Sequence, residues 1–378
     1  MQALDSLRIL DFTQMMLGPF ATQLLADLGA DVIKVERPAG EWERTLAMMG
    51  ELVDGDSAAF LAMNRNKRSL ALDLKDRTAR EALLELAKTC DVVVENFRPG
   101  VMDRLGLGYD DFREVKPDII YCSGSGWGRE GVFADQNRPG QDLLIQAMSG
   151  LAAATGRRDD PPTPAGTAVV DHAAAMNLAV GILAAVVARN THGIGQRVDV
   201  DLYSSAISLQ CQEISAQLNQ KRGYERSTEG IGQAWLDAPF GLYEVADGWI
   251  AIAMAPLPLI ADLLQLPPLA DLDPWHDRDE AKAMLGTVVR GWTADELVEH
   301  LLAAGVWSAR VRTTAEAVAE LAAQGSDLLF ESVDDAGRTL TLVGCPISLS
   351  RTPWQARLAP PRVGQHTQEI LDGVGASS

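Results

Sequence analysis

One aspartate near the middle of the sequence, Asp171, has surroundings in which a carboxylate could act as a nucleophile. It follows a proline-rich segment, residues 161–166, and its neighbours Val170 and residues 173–175 are apolar. Apolar surroundings strip water from a carboxylate and make it a better nucleophile, while the N-terminus of a helix keeps it ionised. The alternative is that Asp171 is only the N-cap of the following helix, a role that contributes ~1 kcal/mol. Taken alone, these residues favour the cap.

Two further segments have the side chains to bind a phosphate-bearing ligand. Residues 64–69 carry three cations in four positions, and arginine and lysine pair well with phosphate oxygens; the alternative is a solvated basic loop. Residues 96–100 follow the strand predicted at 91–95, and ligands gather at the carboxyl ends of parallel strands. Their amide, aromatic ring and guanidinium could hold an adenine and its phosphate, although such a segment is often only a turn.

Several common site motifs are missing from the sequence. The turn at residues 13–19 has one glycine instead of G-x-G-x-x-G, so we do not expect NAD even though Glu36 stands where an acid would hold a ribose. No Walker A motif and no cysteine–histidine spacing of a metal site occurs, and we predict no bound metal. Residues 123–128 lack the outer glycines of a serine-nucleophile elbow and are interpreted as a turn.

The elements that must position these residues form an α/β pattern followed by a helical one. Strand-like and helical patterns alternate through residue 123, which is typical of an open parallel sheet. The predicted strands lie at 7–12, 30–36, 91–95, 119–123 and 196–201, and the helices at 19–28, 78–88, 109–115, 141–154 and 203–220. Residues 173–188 are apolar except for Asn177. These sixteen residues fall short of the ~20 needed to span a bilayer, so we predict a buried helix.

A smaller α+β region is predicted after residue 233. Residues 221–233 contain three glycines and five charges, which is typical of a linker or mobile loop. Residues 240–253 predict a hairpin with an Asp-Gly turn, and helical patterns follow at 280–291, 294–304 and 314–323.

The overall charge limits the classes of partner. The 378 residues include 33 Lys and Arg against 52 Asp and Glu, which gives a formal net charge of −19. A chain this acidic is not expected to bind nucleic acid or to anchor itself to a membrane through basic residues. Four cysteines without a C-x-x-C pair, and an N-terminus without a signal-peptide pattern, predict a cytoplasmic protein.

Many short segments, taken in order, resemble one known family. They are residues 10–13 with Gly18-Pro19, 25–38, 64–69 with 72–75, 94–100, 104–108, Pro161-Pro162 with Asp171, Gly195-Gln196 and 364–371. In this order they are similar to the family III CoA-transferases, the CaiB/BaiF group that includes formyl-CoA and carnitine CoA-transferases. The resemblance covers most of residues 5–220.

The resemblance implies a fold and an assembly. It implies a large Rossmann-like domain with an open parallel sheet, formed by residues 1–222 and 340–378, and a small α+β domain at 223–339. It also implies a homodimer in which the two chains pass through each other as interlocked rings.

The resemblance further implies that Asp171 is the catalytic nucleophile. It would attack the thioester of an acyl-CoA and give a mixed anhydride and the CoA thiolate. The thiolate would then form an aspartyl-CoA thioester and release the first acid, and an acceptor acid would repeat these steps in reverse. The substrates would be an acyl-CoA and a small carboxylic acid, with no tightly bound cofactor.

The family pattern also predicts the contacts with coenzyme A. Arg37 would meet the adenosine or its phosphate, Arg104 would pair with a phosphate, and Met16 and Leu17 would lie near the pantetheine and the acyl group. Arg138 stands close to where a family lysine contacts CoA. The residues expected to line the adenine and ribose are Leu72, Asp73, Leu74, Lys75, Asn96, Phe97 and Arg98.

The sequence departs from the family pattern at two places, and a third segment bears on the substrate. Gln141 stands where transferases usually have tyrosine and 2-methylacyl-CoA racemases have a catalytic histidine, and glutamine cannot move a proton from carbon. A racemase or epimerase is therefore the second hypothesis, and a catalytically inactive CoA-binding protein is the third. Only Gly230 and Gly232 stand where some transferases have a glycine run that shields the intermediate. Residues 14–17 are apolar except for one amide, which predicts an acyl group larger or more apolar than formyl or oxalyl.

Overall fold

The computed structural model describes residues 1–375, which form two compact units. The first unit consists of Met1–Ile145, Ala168–Leu209 and the chain from Gly325 onwards, and the second consists of Gln146–Thr167 and Gln210–Gln324. These boundaries differ from the predicted ones in three places. Residues 146–167 join the second unit because hydrogen bonds tie Arg158 to Ser227 and Thr155 to Arg226.

The other two differences lie at the ends of the second unit. A hairpin at residues 329–343 joins the first unit because Leu340 and Leu342 pack with Phe60 and Leu61. The helix predicted at 203–220 is two helices, since the backbone of Gln210 leaves helical geometry, and the unit boundary falls at this break.

A parallel sheet of six strands forms the centre of the first unit; the alternating pattern predicts five of them and misses β3. Its strands are β1 (Arg8–Asp11), β2 (Asp31–Glu36), β3 (Lys67–Ala71), β4 (Val92–Glu95), β5 (Ile120–Ser125) and β6 (Arg197–Asp201). They pair in the order β3-β2-β1-β4-β5-β6, and Leu10 of β1 lies between Ile33 and Val93. The chain changes direction across the sheet between β1 and β4, which is where such folds bind ligands.

Sixteen α-helices lie within residues 1–375, together with 3-10 helices at Trp42–Thr45 and Pro267–Asp271. The α-helices are α1 (Leu17–Asp27), α2 (Ala58–Met63), α3 (Arg77–Ala87), α4 (Val101–Leu105), α5 (Tyr109–Val115), α6 (Val132–Asp135), α7 (Asp142–Met148), α8 (Leu151–Ala154), α9 (Val169–His192), α10 (Leu202–Leu209), α11 (Cys211–Gln220), α12 (Leu257–Leu263), α13 (Arg278–Val289), α14 (Ala294–Ala303), α15 (Thr314–Ala323) and α16 (Thr367–Gly375).

The core of the first unit is built from the apolar stripes of the helices and the strands that they cover. Leu83 and Leu86 of α3 and Phe112 of α5 are buried against Leu10 and Val93 of the sheet. Each fully buried side chain of this size contributes ~1.5–3 kcal/mol. The periodicity of α3 predicted its buried face, because residues three and four apart share one side of a helix.

The apolar helix of the sequence is α9, which is longer than predicted. One face, which includes Ala174, Leu178 and Ile182, is buried, and the helix packs against α1, α10 and strands β5 and β6. Within residues 1–375 it is the one helix whose length and apolar composition would suffice to cross a membrane, a test that core helices also pass. It ends where Gly193 adopts a left-handed φ of 69°.

The second unit has its own small sheet and core. Strands β7 (Gly241–Val245), β8 (Gly248–Ile252) and β9 (Ser308–Arg310) form an antiparallel sheet in that order, and β7 and β8 are the predicted hairpin. Buried residues of this sheet pack against α13 and α14. The hairpin in the first unit consists of β10 (Leu329–Val333) and β11 (Thr339–Val343).

Candidate active site

The loop after β1 is held in place by the end of β4. The Asn96 side chain donates from Nδ2 to the Gln14 carbonyl at 2.7 Å and accepts from the Gln14 N–H at 2.8 Å. Met15 then adopts a φ of 62°, in the left-handed region that side chains rarely enter. A Cβ on Gly18 would lie 2.3 Å from Cβ of Thr13, so the tight return of the chain into α1 requires glycine. Met16 and Leu17, at the start of α1, are thus fixed beside Asn96.

A network of buried charged side chains holds the loop after β1 in place. The Asp11 carboxylate is fully buried, lies 3.1 Å from the Lys67 ammonium and accepts hydrogen bonds from two threonine hydroxyls. Burial alone would raise the pKa of Asp11, but Lys67 and Lys34 hold it below its usual value. Lys34 also donates to the carbonyl of Thr13 at 2.9 Å and pairs with Glu41 at 2.8 Å. Glu41 in turn accepts the Met15 N–H, so the network fixes both ends of the loop.

The basic segment 64–69 belongs to this interior and is neither a solvated loop nor a phosphate site, so both interpretations of it are wrong. Its three cations are neutralised within the chain by the pairs Arg65–Asp27, Lys67–Asp11 and Arg68–Asp31. A buried cation is tolerated only when a carboxylate pairs with it, because the charge has lost its water. Similarly, Glu36 is bound by Arg44 and Ser69 and is not free to hold a ribose.

Asp171 is the third residue of α9, not its N-cap, so the capping interpretation is wrong. The cap comes from Asp142, whose Oδ1 accepts the N–H of Val170 at 2.8 Å and the N–H of Asp171 at 3.1 Å. Because Asp142 accepts these two N–H groups at the start of the helix, the Asp171 side chain is not needed to cap it. No hydrogen bond to the Asp171 carboxylate forms within residues 1–375, and this carboxylate is therefore available for chemistry.

The environment of Asp171 makes it an unusually basic carboxylate. Burial and, second, the negative charge of Asp142 raise the pKa of Asp171 from 3.8 to about 7. A carboxylate with a pKa near 7 is more nucleophilic than an ordinary one and is still ionised in half of the molecules at neutral pH. The arrangement suits covalent chemistry at an electrophilic carbon.

Two glycines allow Asp142 to reach α9. A Cβ on Gly140 would lie 2.3 Å from Cα of Gly126, and a Cβ on Gly126 would lie 2.4 Å from Cα of Gly140. The loop after β5 and the segment before α7 therefore touch backbone to backbone. This contact positions Asp142, two residues after Gly140, against the first turn of α9.

We expect Gly140→Ala to displace Asp142 and to lower activity by about tenfold or more, with a loss of stability of about 1–3 kcal/mol from overpacking. Steady-state kinetics and thermal unfolding measure the two effects. Gly286→Ala on α13 is the control, since nothing lies within 4 Å of its added methyl. Equal activity in the two variants would show that the close contact does not position the site.

The predicted CoA-binding residues follow strands β3, β2, β1 and β4, which are consecutive in the sheet, at its carboxyl edge. Arg37 comes directly after β2, Leu72–Lys75 follow β3, and Asn96–Arg98 follow β4. Arg37, Asp73 and Lys75 are exposed, whereas Leu72 and Leu74 are partly buried against the core. Helix α9 precedes β6, a parallel strand that starts at the opposite, amino edge of the sheet. The N-terminus of α9, with Asp171, therefore lies at the same carboxyl edge as the predicted CoA-binding residues.

Part of this set lines a cleft of about 140 Å³. Asn96, Phe97, Arg98 and Arg138 share the cleft with the turn after β5. The guanidinium of Arg138 lies 4.8 Å from the ring centre of Phe133, which keeps this exposed side chain at the rim. The remaining predicted residues lie outside this cleft; they are Met16, Leu17, Arg37, Leu72, Asp73, Leu74, Lys75 and Arg104. Their roles in CoA binding stay predictions.

One further acidic group, Glu43, is not predicted from the sequence. It lies on the 3-10 helix Trp42–Thr45 and is only 2% exposed. Burial and the neighbouring Glu41 raise its pKa from 4.5 to about 8, and the charge of Asp171 contributes in the same direction. Its neighbours Trp42 and Arg44 suggest an exposed segment, so no sequence signal marks it. Within residues 1–375, no group of three or more His, Cys, Asp or Glu side chains is arranged to hold a metal ion.

Comparisons with known proteins agree on one family. The sequence matches the model of CoA-transferase family III over residues 4–367. It is 38% identical over 393 aligned positions to the succinyl-CoA:mesaconate CoA-transferase of Haloarcula hispanica, covering 100% of this chain and 98% of that protein. It is 32% identical over 384 positions to the succinyl-CoA:glutarate CoA-transferase of Mus musculus, covering 99% of this chain and 87% of that protein.

A solved structure extends the match to the fold. The crystal structure of a CaiB/BaiF family protein from Brucella suis superposes with a TM-score of 0.83 at 28% identity, covering 99% of both chains. The resemblance found in the sequence and the predicted Rossmann-like α/β fold are therefore confirmed. The chain belongs to CoA-transferase family III and is an enzyme of that family.

Proposed function

We propose that this enzyme moves CoA from an acyl-CoA donor to a carboxylic acid through two covalent intermediates on Asp171. The observation that carries the proposal is the Asp171 carboxylate itself, which is partly buried, has a pKa raised to about 7 and is released from helix capping by Asp142. Covalent catalysis of this kind divides one difficult exchange into easier steps between activated carboxyl groups.

The steps balance without an external proton or electron. An oxygen of Asp171 attacks the thioester carbonyl, the C–S bond breaks, and a mixed anhydride and the CoA thiolate form. The thiolate attacks the aspartyl carbonyl of the anhydride, which gives the aspartyl-CoA thioester and the first carboxylate. The acceptor carboxylate attacks this thioester, and the thiolate then attacks the acyl carbonyl of the new anhydride, so Asp171 is regenerated.

Two features of the site support these steps. The N–H groups of Val170 and Asp171 are taken by Asp142, but the positive end of the α9 dipole still favours the negative charge that develops on the oxygens of each tetrahedral intermediate. Gln141 precedes Asp142 and cannot abstract a proton from carbon, so the site favours acyl transfer over racemisation.

Four exposed cations support the CoA site. Arg37, Lys75, Arg98 and Arg104 follow strands β2, β3 and β4, and none of them forms an ion pair within residues 1–375. Other cations of the same part of the chain, such as Arg44, Arg65 and Lys67, pair with carboxylates. The four exposed side chains are therefore free to meet the phosphates of CoA. One compact polyanion can therefore bind to a chain whose net charge is −19.

We expect Arg98→Ala to raise KM for the acyl-CoA by about tenfold and to leave kcat within about twofold, since a charge-assisted hydrogen bond to a phosphate is lost. The effect should shrink at high salt, because salt screens exposed charges. Arg77→Ala is the matched control, since Arg77 is exposed on α3 and pairs with Glu81 of the same helix. A KM that is unchanged in Arg98→Ala would remove Arg98 from the CoA site.

The names of the relatives suggest the class of acid. The names of the two relatives pair succinyl-CoA with mesaconate or glutarate, and succinate, mesaconate and glutarate are all dicarboxylic. We propose dicarboxylic acids of this size as substrates, in agreement with the loop at residues 14–17, which predicts an acyl group larger than formyl or oxalyl. An acid panel in which oxalate is the best acceptor would contradict this assignment.

The proposal also includes a cytoplasmic homodimer of interlocked chains. The outer face of α9 supports the assembly, because Met176, Val180 and Val187 are 52–65% exposed although all three are apolar. A face of this kind is typical of a surface covered by a partner. Light scattering on the purified protein measures the mass, and a monomer would contradict the dimer. The four unpaired cysteines support a reducing compartment.

A direct experiment tests the function. The enzyme is incubated with succinyl-CoA and isotope-labelled mesaconate, glutarate or succinate, and the CoA esters are resolved by mass spectrometry. Label in the CoA ester indicates transfer, whereas exchange of the α-proton in D₂O indicates a racemase. In parallel, hydroxylamine traps an aspartyl thioester as a hydroxamate, which the proposal places on Asp171.

A further inference from the structure

A second buried carboxyl stands near Asp171 and has no role in the cycle described above. The side chain of Glu43 is 2% exposed, and its Oε2 has no hydrogen-bond partner within residues 1–375. Nearly all buried polar atoms in proteins are partnered, so an orphaned carboxyl oxygen beside an active site points to a group that arrives with the substrate. The Asp171 carboxylate is close enough to contribute to the electrostatic potential at Glu43.

The groups around Glu43 leave it protonated at neutral pH. Burial is the largest influence, the charges of Glu41 and Asp171 act in the same direction, and Lys34 and Lys67 oppose them. Both lysines are committed to other carboxylates, Lys34 to Glu41 and Lys67 to Asp11.

The remaining neighbours do not change this balance. Arg44 is held by Glu36, and α2, which packs against the same 3-10 helix, has no ionisable side chain. The pKa of Glu43 is therefore raised to about 8. A carboxyl that is neutral at pH 7 has an O–H to donate, which an ionised glutamate lacks.

The position of Glu43 also connects it to the loop after β1. Glu41, two residues earlier, accepts the N–H of Met15. Glu43 therefore lies two residues from a side chain that holds the loop expected to line the acyl site, and within electrostatic range of Asp171. An acid that attacks an intermediate on Asp171 must bring its own carboxylate into this region, where a second ionised carboxylate would repel it.

We propose that the protonated carboxyl group of Glu43 binds the acceptor acid, by donating a hydrogen bond from Oε2 to one oxygen of the acid's carboxylate while the other oxygen attacks the aspartyl-CoA thioester. This inference rests on the proposed function of Asp171. No proton needs to leave Glu43 in this step. The contact belongs to the free acid alone, because the reacting carbon of the acyl-CoA carries a thioester in place of a carboxylate.

The first test separates the two substrates. Glu43→Leu removes the donor at similar size, and we expect KM for the acid to rise by about tenfold or more, the cost of an unmade hydrogen bond to a charged group. KM for the acyl-CoA should stay within about twofold, as should hydroxylamine trapping on Asp171, which needs only the acyl-CoA. Glu43→Gln keeps a donor and should keep KM for the acid near the wild-type value. An equal rise in both KM values in the leucine variant would show that Glu43 is only structural.

The second test uses pH. In the wild type, affinity for the acid should fall as the pH rises through about 8, because Glu43 then loses its proton and repels the carboxylate. The amide of Glu43→Gln can donate a hydrogen bond at every pH, so this variant should lose the fall in acid affinity above about pH 8, the alkaline limb of the profile. The control Glu299→Gln, at an exposed position of α14, should keep the alkaline limb. An alkaline limb that persists in Glu43→Gln would overturn the proposal.

A binding measurement keeps this inference separate from the mechanism. Succinate, mesaconate, glutarate and oxalate are each titrated at pH 7, in the presence of CoA, into the wild type and into Glu43→Leu. Isothermal calorimetry measures the affinity, and no turnover is needed. The acid that binds the wild type most tightly should bind Glu43→Leu about tenfold more weakly. Equal affinities for the two proteins would contradict the inference, and so would a wild type that binds none of the acids. Failure of the Asp171 mechanism would instead appear as wild-type enzyme that forms no hydroxamate.

Discussion

An Asp171→Asn variant is expected to lose CoA transfer by at least about four orders of magnitude, the usual cost of removing a nucleophile whose intermediates carry the reaction. The amide has nearly the same shape and keeps the backbone N–H that Asp142 accepts. It cannot attack a thioester as a carboxylate does. The measurement is the rate of labelled acid entering the CoA ester, together with the absence of hydroxamate after hydroxylamine treatment.

The pH profile of the wild type follows from the same group. Asp171 must be ionised to attack, and its pKa is raised to about 7, so kcat/KM for the acyl-CoA should rise with pH through about 7 and level off above it. An ordinary aspartate would already be ionised at pH 5. A profile that is flat between pH 5 and 8 would contradict the assignment of Asp171 as the titrating nucleophile.

Stability supplies a control against simple misfolding. A folded-state pKa above the unfolded value of 3.8 means that the native protein loses stability as the pH rises from about 4 to about 7, because ionised Asp171 is held in a poor environment. Asparagine carries no such charge. Asp171→Asn should therefore melt at a higher temperature than wild type at pH 8, with the difference vanishing below about pH 4. A variant that melts lower at pH 8 would show that its inactivity reflects damage to the fold.

Replacing Asp142 should give the second-largest effect, and two variants separate its charge from its cap. Asp142→Ala leaves the N–H groups of Val170 and Asp171 without their acceptor, so we expect a loss of about 0.5–2 kcal/mol in stability and of about 100-fold in kcat. Asp142→Asn keeps an oxygen for both N–H groups and removes only the charge.

The asparagine variant should move the acid limb of the pH profile to lower pH. The charge of Asp142 raises the pKa of Asp171, so its removal lowers that pKa, although burial still holds it above 3.8. Stopped-assay kinetics from pH 5 to 8 measure the shift. A limb that does not move in Asp142→Asn would show that burial alone sets the pKa of Asp171, and a limb that moves upward would reverse the assigned sign.

The local elements of the fold could be predicted because their signals are local. Five of the six strands of the sheet and the buried face of α3 follow from apolar periodicity, and the helix at Tyr109–Val115 has the bounds that its pattern predicts. Strand β3 was not predicted, because its first residues belong to the basic segment 64–69. Ordered matches to a known family then identified Asp171 among many aspartates. A short-range pattern of this kind is a property of the sequence itself.

The pairing of charges could not be predicted, because it joins residues far apart in the chain. Residues 64–69 have the composition of a phosphate site, yet Lys67 pairs with Asp11, 56 positions earlier. Only the sheet order, with β3 near β1, brings these groups together. A cation buried in this way is removed from ligand binding, while exposed cations such as Lys75 and Arg98 are not.

The sequence by itself determined the family, the parallel α/β sheet and the aspartate on which the proposed chemistry rests. The tertiary structure alone decided what that aspartate can do. Asp142 caps α9 from 29 positions away, so Asp171 is spared that role, and burial raises its pKa to about 7. Burial also turns Glu43 from an ordinary surface-type glutamate into a neutral donor. Desolvation depends on every atom packed around a group, and no local pattern of residues contains that information.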